Sequence, residues 1–250
     1  MTNEINIANC SAMIFAAGFG TRLKPFTNNH PKALAVVNGK TLLQTNLDYL
    51  ERFGIKNFIV NTHHFADQIQ EFLLNQNDLE THITISHEVD GPYETGGGLA
   101  YAAPHLVEEG NPFIVMNVDM LTDLDLIGMF EFHQKIKPLA TLAVTKRASS
   151  RQLLFNDEMS LVGWKNNATG ELRWVKEEVE DAKSFSFSGI HIIEPSIFQL
   201  MPNNGIFSII DIYLATAATH LIVGYDHSGD RIIDVGKPES IAEAEVLFKI

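Results

Sequence analysis

Cysteine, basic residues and long apolar runs are all scarce in this 250-residue chain, and each shortage excludes a class of protein. A chain with one cysteine, Cys10, cannot form an intrachain disulfide, which suits a reducing compartment. Nucleic-acid-binding proteins gain affinity from clustered Lys and Arg. Here 18 Lys and Arg are outnumbered by 31 Asp and Glu, giving a net charge of −13, so we expect no nucleic-acid partner.

Apolar residues make up 45% of the chain, but they are not grouped into a membrane segment. No window approaches about 18 consecutive apolar residues, the length that suggests a membrane-spanning helix. Residues 1–11 carry no basic cluster ahead of an apolar run, which a secretory leader would have. We therefore expect a cytoplasmic protein with no membrane partner, folded as a single domain over residues 1–250.

Short β-rich runs alternate along the chain with amphipathic stretches, a pattern typical of α/β proteins with a mostly parallel sheet. Strands are predicted at 12–16, 58–60, 83–85, 112–116, 139–145, 185–193, 221–224 and 232–235. Helices are predicted at 41–53, 66–73, 99–106, 124–135, 208–219 and 238–248. The polar stretch 147–183, interrupted by Gly163 and Gly170, indicates hairpins or edge strands instead.

The first predicted strand runs into a glycine loop, Ala16-Ala17-Gly18-Phe19-Gly20-Thr21-Arg22, and Pro31-Lys32 follows. Glycine lacks a Cβ and accepts positive φ, so backbone N–H groups in such a turn can approach a phosphate closely. Taken alone, Gly-x-Gly is equally compatible with an ordinary tight turn, and Arg22 and Lys32 with solvated surface charges. The loop is neither a dinucleotide fingerprint, because position 23 is Leu23, nor a P-loop, because no Gly-Lys-Ser/Thr follows.

Three further segments follow the glycine loop along the chain: Glu94-Thr95-Gly96-Gly97-Gly98-Leu99, Asn117-Val118-Asp119 and Asp234-Val235-Gly236-Lys237-Pro238-Glu239. Together the four segments resemble the signature of the sugar-1-phosphate nucleotidyltransferases, and the resemblance extends over residues 11–248. It implies a mixed, mostly parallel Rossmann-like α/β sheet flanked by helices, the nucleotide-diphospho-sugar transferase fold. No hexapeptide repeat follows residue 235, so no appended β-helix is expected.

The resemblance also implies a reaction, in which a nucleoside triphosphate and a sugar 1-phosphate give a nucleotide sugar and pyrophosphate with Mg²⁺ as cofactor. Asp119 and Asp234 would bind the metal, although each taken singly is equally a strand-end or helix-cap carboxylate. Arg22 would contact the β- and γ-phosphates, and Lys32 would contact the α-phosphate and the approaching sugar phosphate, completing the catalytic set. The other implied contacts are to the nucleotide for Ala16, Ala17, Gly18, Gly20, Thr21, Thr95 and Gly96, and to the sugar for Asn117, Ser188 and Gly189.

Several substrate pairs remain open within this resemblance. UTP with N-acetylmuramate 1-phosphate is preferred, because the short uridylyltransferases share the Glu-Thr-Gly-Gly loop and lack the β-helix. A mannose-1-phosphate guanylyltransferase is the alternative in the same family. A catalytically silent protein that binds nucleotide sugars and regulates a partner is the alternative from another class. No oligomeric state is predicted.

The silent alternative is motivated by departures from the family pattern. Val118 replaces the glycine before the metal aspartate, and Val36 stands where proline is common. Lys237 replaces a threonine, and Phe187 stands where relatives often carry an asparagine. No Glu-Lys-Pro motif occurs in residues 151–184, where many relatives hold the sugar and its phosphate. These departures bear on the sugar side of the site more than on the catalytic set.

Overall fold

The computed structural model describes residues 6–75, 81–107 and 110–249, in which fourteen strands and six α-helices are found. The strands are β1 (Ser11–Phe15), β2 (Val36–Val37), β3 (Lys40–Thr41), β4 (Asn57–Thr62), β5 (His82–His87), β6 (Phe113–Asn117), β7 (Met120–Thr122), β8 (Ala140–Thr145), β9 (Arg151–Phe155), β10 (Leu161–Asn166), β11 (Glu171–Trp174), β12 (Lys183–Ile193), β13 (Ile222–Asp226) and β14 (Ile232–Asp234). The helices are α1 (Leu42–Glu51), α2 (Ala66–Leu74), α3 (Glu94–Leu106), α4 (Leu126–Ile136), α5 (Ile209–Thr216) and α6 (Pro238–Leu247). In the same residues, no helix is long and apolar enough to cross a membrane.

Ten strands form one mixed sheet in the order β11-β10-β9-β12-β6-β1-β4-β5, with β8 paired to β12 and β13 paired to β8. Strand β1 pairs in parallel with β4 and β6, and β4 pairs in parallel with β5. Strand β12 is antiparallel to both β6 and β8, so β6 and β8 point the same way. The carboxyl ends of β1, β6 and β8 therefore meet at one edge of the sheet. The predicted α/β class with a mostly parallel sheet is confirmed.

Strand β1 shows why the central strands are apolar at nearly every position. Ala12 and Ile14 pack into one core cluster with Leu43 of α1, whereas Met13 between them packs into a second cluster with Leu99 of α3. Successive side chains of a strand point to opposite faces of the sheet. A strand that is covered by helices on both faces therefore needs apolar side chains throughout. Burying each such side chain stabilises the fold by about 1.5–3 kcal/mol.

Most predicted elements are found within a few residues of their expected ends. Helix α1 begins where expected because the Thr41 hydroxyl accepts a hydrogen bond from the Gln44 N–H at 3.1 Å, the bond of an N-cap. The stretch 147–183 forms the predicted hairpins as β9, β10 and β11. The short strands β2, β3 and β7 have no counterpart in the prediction, because two or three residues are too few to show a period.

The predicted start of the third helix, residue 99, was wrong, because α3 begins at Glu94 and includes three consecutive glycines. Glycine is disfavoured inside helices, which is why the periodicity pointed to a later start. Packing overrides this preference here. A Cβ on Gly97 would lie 2.2 Å from the Gly205 carbonyl oxygen, and one on Gly96 would lie 2.4 Å from Cδ2 of Phe207. Only glycine allows the first turns of α3 to pack this closely against residues 205–207.

Candidate active site

A cavity of about 230 Å³ opens at the edge of the sheet where the carboxyl ends of β1, β4 and β6 lie. This is the position at which open α/β sheets generally bind their ligands. It brings together residues from three of the four segments identified in the sequence, and Lys32. The cavity is lined by Phe15, Ala16, Ala17, Gly18, Lys32, Asn61, Glu88, Pro92, Glu94, Thr95, Asn117, Val118 and Asp119.

Asp119 and Asp234 are brought together by the two short strands β7 and β14. Asp234 pairs with Met120 in this antiparallel ribbon, and the Val235 N–H donates to the Asp119 carbonyl oxygen at 2.8 Å. Asp119 itself follows β6 at the edge of the main sheet. Two carboxylates that are 115 positions apart in the sequence therefore lie on adjacent backbones.

Each of the two carboxylates is paired with a cation. Lys32 Nζ donates to Oδ2 of Asp119, with only 16% of the lysine side chain exposed. Arg22 Nη2 donates to Oδ2 of Asp234 at 3.3 Å, with 55% of the arginine side chain exposed. An exposed ion pair contributes at most about 1 kcal/mol to stability, so the Arg22 contact does little for the fold. Its guanidinium remains largely accessible to a ligand.

Two glycines shape the space around these pairs. Gly20 has a φ of +61°, and a Cβ there would lie 2.8 Å from Cγ2 of Thr27 and 3.1 Å from Cβ of Lys32. A Cβ on Gly236 would lie 2.5 Å from Arg22 Nη2 and 2.6 Å from Oδ1 of Asp234. The glycine loop is thus folded against the segment that carries Lys32, and Gly236 leaves the space in which Arg22 meets Asp234.

The chemistry of the donor set suits Mg²⁺ better than zinc. Oδ1 of Asp234 is buried, and the described residues offer it no hydrogen-bond partner. In the described ranges, no group of three or more His, Cys, Asp or Glu side chains could hold a metal ion. Mg²⁺ is bound in proteins by one or two carboxylates, with water and substrate phosphates as its other ligands. The pair Asp119 and Asp234 fits that requirement.

A second buried carboxylate in the cavity was not predicted from the sequence. Glu88 directly follows β5, accepts from Asn61 Nδ2 on Oε1 at 2.5 Å, and accepts from the Tyr93 N–H on Oε2 at 2.7 Å. A Cβ on Gly98 would lie 2.5 Å from Oε1 of Glu88, so this glycine makes room for the carboxylate. The only signal in the sequence is an acidic residue just after a strand, as Asp119 comes two residues after the end of β6.

Thr95 and Gly96 lie at the start of α3 and are tied to the segment before α5. Thr95 lines the cavity, and its Oγ1 accepts from the Ile209 N–H at 3.0 Å. The Gly96 N–H donates to the Phe207 carbonyl oxygen at 2.8 Å, and the residue is buried. The donor that Gly96 was expected to present to a ligand is therefore already used in this structure.

The expected sugar side of the site lies at an irregularity in β12. The pairing register of β12 with β8 shifts between Phe187 and His191, and Gly189 within it has a φ of +70°. A Cβ on Gly189 would lie 2.7 Å from Asn117 Nδ2, so glycine lets β12 approach the cavity residue Asn117. Ser188 is completely buried, and its hydroxyl shares a hydrogen bond with His227 Nε2 at 2.8 Å. Gly189 and Asn117 approach each other here, whereas Ser188 does not reach solvent.

His227, which shares a hydrogen bond with Ser188, has a neutral imidazole at neutral pH. Burial lowers the pKa of His227, and the carboxylates of Asp230 and Asp226 only partly oppose that shift. His227 therefore acts as a hydrogen-bonding support for Ser188 at neutral pH. Because Ser188 is enclosed, no substrate carbonyl can reach its hydroxyl, and the pair is structural.

A third cation near the two aspartates was also missed by the sequence. Arg147 is half-buried two residues beyond β8, and the charges of Asp234 and Asp119 act on it. Burial lowers the pKa of this guanidinium, while the two carboxylates oppose the shift. Arg147 belongs to none of the four segments, so no motif pointed to it.

The fold agrees with what comparison with known proteins shows. A family model described as Nucleotidyl transferase matches residues 11–153, more than half of the chain. The N-acetylmuramate alpha-1-phosphate uridylyltransferase of Caulobacter vibrioides is 31% identical over 94% of this chain and 95% of its own. The enzyme of the same name from Neisseria meningitidis is 29% identical over 94% of this chain and 97% of its own.

Two further comparisons cover most of the chain. The mannose-1-phosphate guanyltransferase of Yarrowia lipolytica is 26% identical over 94% of this chain and 63% of its own. The crystal structure of HddC from Yersinia pseudotuberculosis complexed with GMP-PN has a TM-score of 0.76 at 22% identity, covering 96% of this chain and all of its own, and so shares the fold. This chain therefore belongs to the nucleotidyl transferase family and is an enzyme of the sugar-1-phosphate nucleotidyltransferase type.

Proposed function

We propose that this enzyme transfers the uridylyl group of UTP to N-acetylmuramate 1-phosphate and releases pyrophosphate. The observation that carries the proposal is that two aspartates on adjacent backbones are each paired with a cation: Asp119 with Lys32, and Asp234 with Arg22. The choice of substrates is supported by the two uridylyltransferase relatives, which match this chain over nearly its whole length.

In this proposal Asp119 and Asp234 would hold Mg²⁺, an ion that proteins commonly bind through one or two carboxylates together with substrate phosphates and water. When bound, the ion supplies positive charge to the phosphate oxygens that become more negative as the reaction proceeds. The unpartnered Oδ1 of Asp234 is available for such a bond without breaking the contact between Oδ2 and Arg22.

Arg22, Lys32 and the glycine loop would neutralise the remaining negative charge of the triphosphate. Arg22 presents a planar fork that can bond two phosphate oxygens at once, and its exposure lets it reach the β- and γ-phosphates. Lys32 lines the cavity as a compact charge for the α-phosphate. The N–H groups of Gly18, Gly20 and Thr21 would contribute the backbone donors of a phosphate loop.

The reaction needs little proton transfer, and that matches the residues present. An oxygen of the ionised sugar phosphate attacks the α-phosphorus, the bond from that phosphorus to the β-phosphate bridging oxygen breaks, and its electrons leave with pyrophosphate. Nucleophile and leaving group are both already anions, so catalysis is mainly alignment and charge neutralisation. Arg22 would stabilise the charge that develops on the departing pyrophosphate.

A guanylyltransferase that uses mannose 1-phosphate is the second candidate, favoured by the relative from Yarrowia lipolytica. The buried carboxylate of Glu88 lines the cavity and can accept a hydrogen bond from a base. Uracil and guanine both carry a ring N–H, so Glu88 is compatible with either nucleotide. Mannose 1-phosphate and N-acetylmuramate 1-phosphate differ in size and charge. Measuring turnover with each sugar therefore distinguishes the two candidate functions.

The proposal is tested by measuring pyrophosphate release with Mg²⁺ and each of UTP, GTP, CTP and ATP against four sugar 1-phosphates. The sugars are N-acetylmuramate, N-acetylglucosamine, mannose and glucose 1-phosphate. We expect the largest kcat/KM for UTP with N-acetylmuramate 1-phosphate. A larger value for GTP with mannose 1-phosphate would replace the proposal by the second candidate, and silence throughout with retained nucleotide-sugar binding would favour a regulatory protein.

A further inference from the structure

Arg147 follows β8 in the same way that Asp119 follows β6, and β12 lies between these two strands in the sheet. Strand β6 ends at Asn117, two residues before Asp119, and β8 ends at Thr145, two residues before Arg147. Both strands point the same way, so both residues emerge at the edge of the sheet that carries the cavity. Arg147 is therefore on the wall formed by β8 and β12, whereas Arg22 and Lys32 belong to the segment that follows β1.

The guanidinium of Arg147 is anchored but keeps unused donors. Its Nη2 donates to the Phe187 carbonyl oxygen at 3.0 Å, and the Arg147 carbonyl oxygen accepts from Ser186 Oγ at 2.7 Å. Its Nε is buried, and no hydrogen-bond partner for it exists within the described residues. A buried donor without a partner costs about 1–3 kcal/mol, so the position is favourable only if something else bonds to it.

The charges around Arg147 favour an anion brought in by the substrate. Asp119 and Asp234 are close enough for their charges to act on the guanidinium. However, neither forms an ion pair with it in the part of the chain that the structure covers, and Oδ2 of each bonds to Lys32 or Arg22 instead. An arginine with its fork only partly used matches the paired oxygens of a phosphate group.

The hydrogen bond from Arg147 to Phe187 indicates which substrate phosphate Arg147 would bind. Phe187 immediately precedes Ser188 and Gly189, the irregular part of β12 that approaches Asn117. This is the side assigned to the sugar, and it lies on a different strand from the glycine loop assigned to the triphosphate. We propose that Arg147 binds the phosphate of the sugar 1-phosphate and aligns its attacking oxygen, an inference that rests on the proposed function.

The test compares Arg147→Gln and Arg147→Lys with Lys146→Gln, which removes the neighbouring cation, 72% exposed and 4.0 Å from Asp226. In Arg147→Gln we expect the KM for the sugar 1-phosphate to rise about 10- to 100-fold, the effect of losing charge-assisted hydrogen bonds. The KM for the nucleoside triphosphate should change less than about threefold. Arg147→Lys should recover part of the loss, and Lys146→Gln should behave as wild type.

Failure of this inference can be distinguished from failure of the proposed function. Calorimetric titration of glucose 1-phosphate into the Mg²⁺-loaded full chain with a non-hydrolysable UTP analogue requires no turnover. We expect Arg147→Gln to bind at least about tenfold more weakly than wild type. Equal affinities, no binding by wild type, or a raised KM for the triphosphate alone would each overturn the role of Arg147. Absence of turnover by wild type with retained binding would instead reject only the reaction.

Discussion

At the scale of single residues, the contacts of Asp119 and Asp234 do not explain these two carboxylates as structural groups. Asp234 has one oxygen bonded to an exposed arginine and the other buried with no partner among the described residues. Asp119 is bonded to Lys32 inside the cavity. A carboxylate kept for stability would be expected to satisfy both oxygens. Their contacts are the reason why we propose both as metal ligands.

Replacing either carboxylate by its amide should abolish turnover and leave the fold intact. Asp119→Asn and Asp234→Asn each remove a negative charge from the Mg²⁺ site with almost no change of shape. We expect kcat to fall by at least about 100-fold, as when a group that acts on transition-state charge is removed. Pyrophosphate release measures the loss, and thermal unfolding should shift by only a few degrees, about what 1 kcal/mol produces.

The matched control for these amides is Asp157→Asn, whose carboxylate is 77% exposed and pairs with Lys183 at 2.9 Å. It removes the same charge outside the cavity and should keep wild-type kcat. Wild-type turnover in both Asp119→Asn and Asp234→Asn would reject the metal assignment.

At the scale of elements, three consecutive glycines near the start of α3 set the position of this helix. Its three glycines at positions 96–98 are all buried, and each faces another segment at a distance that a Cβ would not allow. The helix start thus packs on residues 205–207 on one side and on Glu88 on the other. This close packing places Thr95 at the cavity.

Gly97→Ala should therefore destabilise the protein although alanine is the better helix former. The propensity gain is about 1 kcal/mol, whereas a Cβ 2.2 Å from the Gly205 oxygen and 2.8 Å from Cβ of Tyr93 forces the backbone apart. We expect a net loss of about 1–3 kcal/mol in chemical denaturation. Gly229→Ala is the control, since a Cβ there meets nothing within 4 Å, and it should change stability by less than about 0.5 kcal/mol. A stabilised Gly97→Ala would show that α3 is not held by this contact.

At the scale of the whole molecule, the chain has a net negative charge, a group of cations at one edge of the sheet, and a buried histidine–tyrosine pair in its core. The net charge of −13 describes the surface, while Arg22, Lys32 and Arg147 lie together at one edge of the sheet. In the core beneath this edge, His191 of β12 is fully buried and shares a 2.6 Å hydrogen bond with the Tyr213 hydroxyl of α5. Burial lowers the pKa of His191 to about 3.

This lowered pKa makes the stability of the whole fold depend on pH. Below the unfolded pKa of about 6.5 the unfolded chain binds a proton that the folded His191 does not, so stability falls as pH falls. Between pH 7.5 and 5.5 the loss from this residue should be about 1.4 kcal/mol. Urea denaturation at the two pH values measures it, and His191→Gln should lack this part of the difference.

His105→Gln serves as the control for the pH experiment, because His105 is exposed and loses little hydration on folding. It should show the wild-type difference between the two pH values. The burial argument would be contradicted by an unchanged pH dependence in His191→Gln.

The sequence predicted the sheet class, most elements and the aspartates of the site, but not how the site is assembled. The apolar runs of β1 and β6 and the motifs ending at Asp119 and Asp234 are local patterns. Contact between the two aspartates depends on β7 and β14, three residues each, which are too short to show a period. Glu88 and Arg147 each follow a strand without any motif around them, and their importance appears only when the strand ends are brought together.

The claim that two carboxylates and their cations catalyse nucleotidyl transfer is tested most directly by following both products of one reaction. The purified chain is incubated with UTP, N-acetylmuramate 1-phosphate and Mg²⁺, and the nucleotide sugar and pyrophosphate are quantified together. We predict that they form in equal amounts, only when both substrates are present, and that added pyrophosphate reverses the reaction. Release of inorganic phosphate from UTP without a nucleotide sugar would contradict the account.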